Sequence, residues 1–118
     1  MKDNNIVVIK SRDFAIKIIR LYQFLISEKK EYVLSKQILR SGTSIGANVK
    51  EAIRGQSKAD FYAKLGISLK ESSETEYWLD LLHETKFIND ELFQVMFSDN
   101  IELTKILTAI LKTRRKCS

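Results

Sequence analysis

Gln37-Ile-Leu-Arg40-Ser-Gly-Thr-Ser44-Ile-Gly-Ala-Asn48-Val-Lys-Glu51-Ala-Ile-Arg54 has the periodicity of a helix, yet its middle is almost free of large side chains. At 3.6 residues per turn, Leu34, Ile38, Ile45, Val49 and Ala52 share one face, as a core-facing helix requires. Arg40, Ser44, Asn48 and Glu51 form a second stripe about 80° wide beside that face. Polar groups at such a half-buried position need partners, because an unpaired buried amide or charge is costly. The stripe can be a structural network between helices, a subunit or nucleic-acid contact, or a ligand site. Gly42 and Gly46 each cost about 1 kcal/mol of helix propensity, which fits either close approach of another backbone or a kink.

Outward from this helix, the chain of 118 residues has no proline and four glycines, so little interrupts helices. A content of 44% hydrophobic and 30% charged residues is ordinary for one globular domain. An all-α fold follows, an antiparallel up-down-up-down four-helix bundle with helices at about residues 11–29, 32–54, 57–85 and 89–115. Residues 1–10 read as an N-terminal arm and 116–118 as a tail. Ser11 is placed to cap the first helix, whose apolar positions are Ala15, Ile18, Ile19, Tyr22, Leu25 and Ile26. Gly55 suits a left-handed end to the second helix. Ser57 with Asp60 makes a short capping box for the third, and Asn89 caps the fourth, whose stripe runs from Phe93 to Leu111.

The third helix carries a core stripe of Phe61, Leu65, Leu69, Leu79 and Leu82, interleaved with the small Ser68, Ser72 and Thr75. These small residues match the small centre of the second helix and predict close approach there. Ile67, Glu71, Glu74, Trp78 and Leu81 form a second stripe, which should meet another helix, a subunit or a partner. Trp78 is its candidate anchor. Arg40 is expected to hold Glu71 or Glu74, within or between subunits, because its planar fork suits carboxylates.

Glu31-Tyr-Val-Leu-Ser-Lys-Gln37 running into the opening stretch, then Ser57-Lys-Ala-Asp-Phe-Tyr-Ala-Lys and Leu69-Lys-Glu71-Ser-Ser-Glu74-Thr-Glu-Tyr-Trp78-Leu, closely resembles the four-helix-bundle family of 23S rRNA intervening-sequence proteins. That family includes the accessory variability proteins of diversity-generating retroelements. The resemblance spans about residues 11 to 112. It implies a homo-oligomer, specifically a pentamer, with nucleic-acid binding inferred for some members and a reverse transcriptase as partner of others.

Charge is strongly segmented, with 12 basic against 5 acidic side chains in residues 1–59, 3 against 10 in 60–102, and 5 against none in 103–118. The segments either pair within the fold or present separate surfaces. Lys36, Lys50 and Arg54 share the outer face of the second helix, while Lys105, Lys112, Arg114, Arg115 and Lys116 make the last helix and tail basic. These eight are the candidate nucleic-acid contacts, through phosphate rather than a base code, since no aromatic platform accompanies them. The same lysines would also serve as a solubilising surface.

Catalytic constellations are missing from the inventory. His83 is the sole histidine, so His-based zinc and di-iron motifs lack ligands. No arginine stands four to six residues before it, as a HEPN-type ribonuclease site requires. There is no Walker A loop or dinucleotide-binding glycine motif. A non-enzymatic protein with no cofactor or metal is expected. Cys117, the lone cysteine, forms no internal disulfide and fits the cytoplasm. Ile6-Val-Val-Ile9 is too short to be a signal or membrane segment. The expected partners are further copies of the chain and nucleic acid, especially structured RNA. A protein-interaction scaffold without nucleic-acid contact is the alternative.

Overall fold

A computed structural model describes residues 2–114, which form α1 (Lys2–Ser27), α2 (Leu34–Ile53), α3 (Lys58–Glu84) and α4 (Asp90–Lys112). Contacts run α1 to α2, α2 to α3, α3 to α4 and α4 back to α1, so α1 and α3 stand diagonally across the bundle. The reversed pairing of Ile18 with Gly42 and Ser11 with Gly46, and of Ser68 with Ile45 and Thr75 with Ser41, makes neighbouring helices antiparallel. The bundle is a rod of 48 × 21 × 19 Å.

The expected N-terminal arm is instead the start of α1. Val7, Ser11, Phe14, Ile18, Leu21 and Leu25, spaced by four, three, four, three and four, form one buried stripe with nothing to stop the helix. Ser11 therefore does not cap. It is buried in mid-helix, with Oγ donating to the Val8 carbonyl at 3.3 Å. The core face is also rotated by about one residue from the expected one: Phe14 and Leu21 are buried, whereas Ile19 is 42% exposed.

Helix ends depart from expectation in two places. Gly55 does not adopt a left-handed conformation; among the described residues, the positive φ values fall on Lys30 (54°) and Lys86 (67°). At Gly55 the constraint is space, because a Cβ would lie 2.8 Å from Asp60 Oδ2 and 3.0 Å from the Ala52 carbonyl. At the start of α2, Val33 offers no side-chain cap. The Glu31 carboxylate accepts the N–H groups of Leu34 at 3.0 Å and Ser35 at 2.7 Å, satisfying first-turn donors. Ser57 Oγ accepts from Asp60 N at 3.0 Å and Asn89 Oδ1 from Leu92 N at 2.8 Å.

The core is built from Phe14, Ile18, Leu25, Ile38, Ile45, Leu65, Leu79, Leu82, Leu103 and Leu107. Tyr62 replaces Phe61 in it, and Phe61 and Leu69 are half-buried. A polar seam crosses this core where α2, α3 and α4 approach. Ser68 Oγ donates to the Ile45 carbonyl at 2.8 Å, and Thr75 Oγ1 lies 2.9 Å from Ser41 Oγ. Asn100 Nδ2 donates to the Ser72 carbonyl at 2.9 Å. Ser41 of α2 thus faces α3, while the glycines of α2 face α1: a Cβ on Gly42 would lie 2.6 Å from Ile18, and one on Gly46 3.2 Å from the Ser11 carbonyl. The expected close approach of α2 and α3 is thus present through Ser41, Ser68 and Thr75, whereas the glycines of α2 admit α1.

Candidate nucleic-acid interface

Arg40, Glu71 and Glu74 meet within one chain. Arg40 Nη1 donates to Glu71 Oε2 at 2.7 Å, and Nη2 bonds both Glu71 Oε1, at 3.5 Å, and Glu74 Oε2. The hydrogen bond with Glu71 raises the Arg40 pKa; desolvation opposes this, and the Coulomb attraction of Glu71 and Glu74 adds to it. The rest of the second stripe on α2 does not join this cluster. Ser44 Oγ donates to the Arg40 carbonyl and Asn48 Nδ2 to the Ser44 carbonyl, both one turn back on α2. Glu51 lies 3.9 Å from Lys64 of α3. Trp78 is half-buried against its own core, with Nε1 buried and unpartnered.

Acidic and basic segments are partly paired inside the chain. Lys10 meets Glu102 at 3.1 Å and Lys17 meets Asp99 at 2.6 Å, along the α1–α4 seam. The remaining charge is distributed along the rod axis. Because the helices alternate in direction, the finishes of α2 and α4 and the start of α3 share one end. Lys50, Arg54, Lys58, Lys112 and Arg114 gather there, all exposed, and outnumber the exposed Glu51 and Asp60 beside them. The opposite end has Glu28, Glu31, Glu76, Asp80, Glu84, Asp90 and Glu91, interspersed with Lys29, Lys30, Lys36 and Lys86.

Of the eight expected contacts, Lys50, Arg54, Lys112 and Arg114 are thus brought to one end. Lys105 is exposed farther back on α4. Lys36 is exposed too, but sits about 21 Å from Lys50 along α2, at the opposite end. Arg115 and Lys116 lie outside the described residues, as does Cys117.

Two grooves flank the ridge made by Lys50 and Arg54. Between α2 and α3, a groove of about 770 Å³ holds both cations with Lys64, and also Glu51 and Asp60. Between α1 and α2, a groove of about 410 Å³ holds them with Arg12, Val8, Val49 and Ile53. Arg12 and Lys64 were not singled out from the sequence. Only the packing of α1 and α3 on either side of α2 places them there. At the acidic end, His83 Nε2 contacts Asp90 Oδ1 at 2.7 Å and its ring stacks on Phe93 at 4.1 Å. Among the described residues there is no group of three or more His, Cys, Asp or Glu side chains placed to hold a metal ion. No helix among them is long and apolar enough to cross a membrane.

The chain is 54% identical to a protein of unknown function from the S23 ribosomal protein family of Bacteroides thetaiotaomicron VPI-5482, whose crystal structure superposes with a TM-score of 0.93. The match covers 94% of this chain and 99% of that one. No curated protein matches. The family model for the 23S rRNA-intervening sequence protein matches residues 3–109. With nearly the whole bundle matched, the chain belongs to the 23S rRNA-intervening sequence protein family.

Proposed function

We propose that this protein is a non-enzymatic, self-assembling bundle of the cytoplasm that binds nucleic acid, structured RNA foremost, through its basic end. The observation that supports this most is the convergence of exposed cations from α2, α3 and α4 at one end of the rod, away from the acidic end. Phosphate contacts of this kind provide affinity and steer association without a base code. Repetition in a homo-oligomer, a pentamer in our reading, would multiply them.

The test is fluorescence anisotropy with a structured RNA, a DNA duplex and a single strand, from about 50 to about 300 mM salt. Saturable binding near physiological salt with a steep slope is expected. Charge reversal of Lys50 and Arg54 together should lower affinity at least tenfold and flatten the slope by roughly 1.4–1.8, with helicity intact. If the wild type loses all binding near physiological salt, the basic end is a solubilising surface and the reading fails.

The second reading is an adaptor for a nucleic-acid enzyme, for example the reverse transcriptase of retroelement-associated proteins that the sequence resembles. It is favoured by apolar side chains on the outside of α1, where Ile9 is 60% and Ile16 36% exposed. Co-purification of the tagged protein with such an enzyme, with no affinity for nucleic acid alone, would favour it.

A further inference from the structure

From the α1–α2 groove we infer that the bound nucleic acid is held partly as a single strand, with an unpaired base laid on the aliphatic floor and its phosphates on the rim. The inference rests on the nucleic-acid reading above and adds which form of nucleic acid the basic end takes.

The floor is Val8 from α1 and Val49 and Ile53 from α2, with Arg12, Lys50 and Arg54 around it. Val8 is 36% and Ile53 45% exposed, so both present their side chains to solvent, while Val49 lies buried beneath. Among the described residues no carboxylate lines this groove. Three other grooves contain them: Glu51 and Asp60 between α2 and α3, Asp99 and Glu102 between α1 and α4, and Glu84 and Asp90 at the acidic end. Arg12, Lys50 and Arg54 beside exposed aliphatic surface complement a ligand that is anionic along one edge and apolar on a flat face. An unpaired nucleotide has that character. In a duplex the base faces are stacked and out of reach, so only phosphate would be engaged.

An acidic amphipathic helix is the competing occupant. It would need apolar anchors over about two turns, and three aliphatic side chains give it little more than one. The groove has no aromatic lining, which is why no stacking platform is legible in the sequence. Aliphatic surface can still cover a base face by excluding water from it.

The test compares three probes by anisotropy on the full chain: a single strand of about 12 nucleotides, an abasic strand with the same phosphates, and a duplex. Wild type should bind the base-bearing strand about tenfold more tightly than the abasic one. Ile53→Gln should abolish that ratio and leave duplex affinity unchanged. Val8→Gln, on the other helix, gives an independent readout should Ile53→Gln fail to fold.

If wild type binds both strands equally while charge reversal at Lys50 and Arg54 weakens all three probes, the groove inference is overturned and the nucleic-acid reading stands. If none of the probes binds, both are overturned. Ile53-dependent binding of a Leu/Glu helical peptide, with strand affinity indifferent to bases, would reassign the groove to a protein partner.

Discussion

Gly42 shows how one hydrogen atom sets the distance between two helices. A Cβ there would lie 2.6 to 2.9 Å from three carbons of Ile18, a buried β-branched residue with few alternative rotamers. Gly42→Ala gains about 1 kcal/mol of helix propensity, but overpacking costs about 1–3 kcal/mol. Net destabilisation is expected in urea titration; in an Ile18→Ala background, itself less stable by about 2–5 kcal/mol, the same Gly42→Ala change should no longer destabilise, and a Gly42→Ala variant at least as stable as wild type would show that α1 yields freely. The backbone conformation of Lys86 gives the opposite case. Its φ of 67° is a left-handed conformation that costs an L-residue about 1–2 kcal/mol. Glycine is at home there despite its larger entropy in the unfolded chain. Lys86→Gly should therefore stabilise by up to about 1 kcal/mol, read as a higher urea midpoint at unchanged slope.

The α2–α3 seam joins a buried hydroxyl ladder to a partly exposed ion cluster, and the two ends of that cluster differ. The Arg40 side chain is 52% exposed, whereas that of Glu71 is only 15% exposed. Arg40→Ala leaves a mostly buried carboxylate without its cation, while Glu71→Gln leaves an arginine that water can solvate. Arg40→Ala is expected to cost more, by about 1 kcal/mol, with part of the loss recovered in the double variant. Equal costs would mean that Glu71 finds water as readily as Arg40 does. This seam was readable from spacing, because small polar residues recur on both helices and the arginine lies one stripe away from two glutamates. The caps of α3 and α4 were readable for a similar local reason. The orientation of α1 was not, since Ile6, Val8, Ile9, Ile16 and Ile19 are exposed and make the helix apolar nearly all round. Periodicity then cannot choose the buried side, and the start of the helix is hidden by the same ambiguity. Nor could spacing tell which neighbour the α2 glycines admit, because that depends on how far each helix is rotated against the next.

At the scale of the whole molecule, the exposed apolar side of α1 has a counterpart on α3. Ile67 is 43% and Tyr77 55% exposed, and Gly66 beside them has nothing within 4 Å of where a Cβ would stand. A mid-helix glycine costs about 1 kcal/mol, and no contact within the chain calls for it. Arg20 on the outside of α1 and Asp80 on that of α3 lie toward the same end of the rod, so a charge pair adds to the apolar match. Because α1 and α3 are diagonal, joining one to the other is a head-to-tail contact, the kind that closes into a ring when the rotation permits. Trp78→Ala is a blunt probe of this contact, since the ring also packs on its own core. Ile16→Glu and Ile67→Glu each spoil one side and touch little of the core, so either alone should leave folded monomers by light scattering and native mass spectrometry. Mixing the two should restore a single intact joint, pairing the sound α3 of the first with the sound α1 of the second, and give dimers but no ring. A symmetric contact of α1 with α1 would instead leave the Ile67→Glu chain fully assembled by itself, and that outcome would rule out the head-to-tail arrangement.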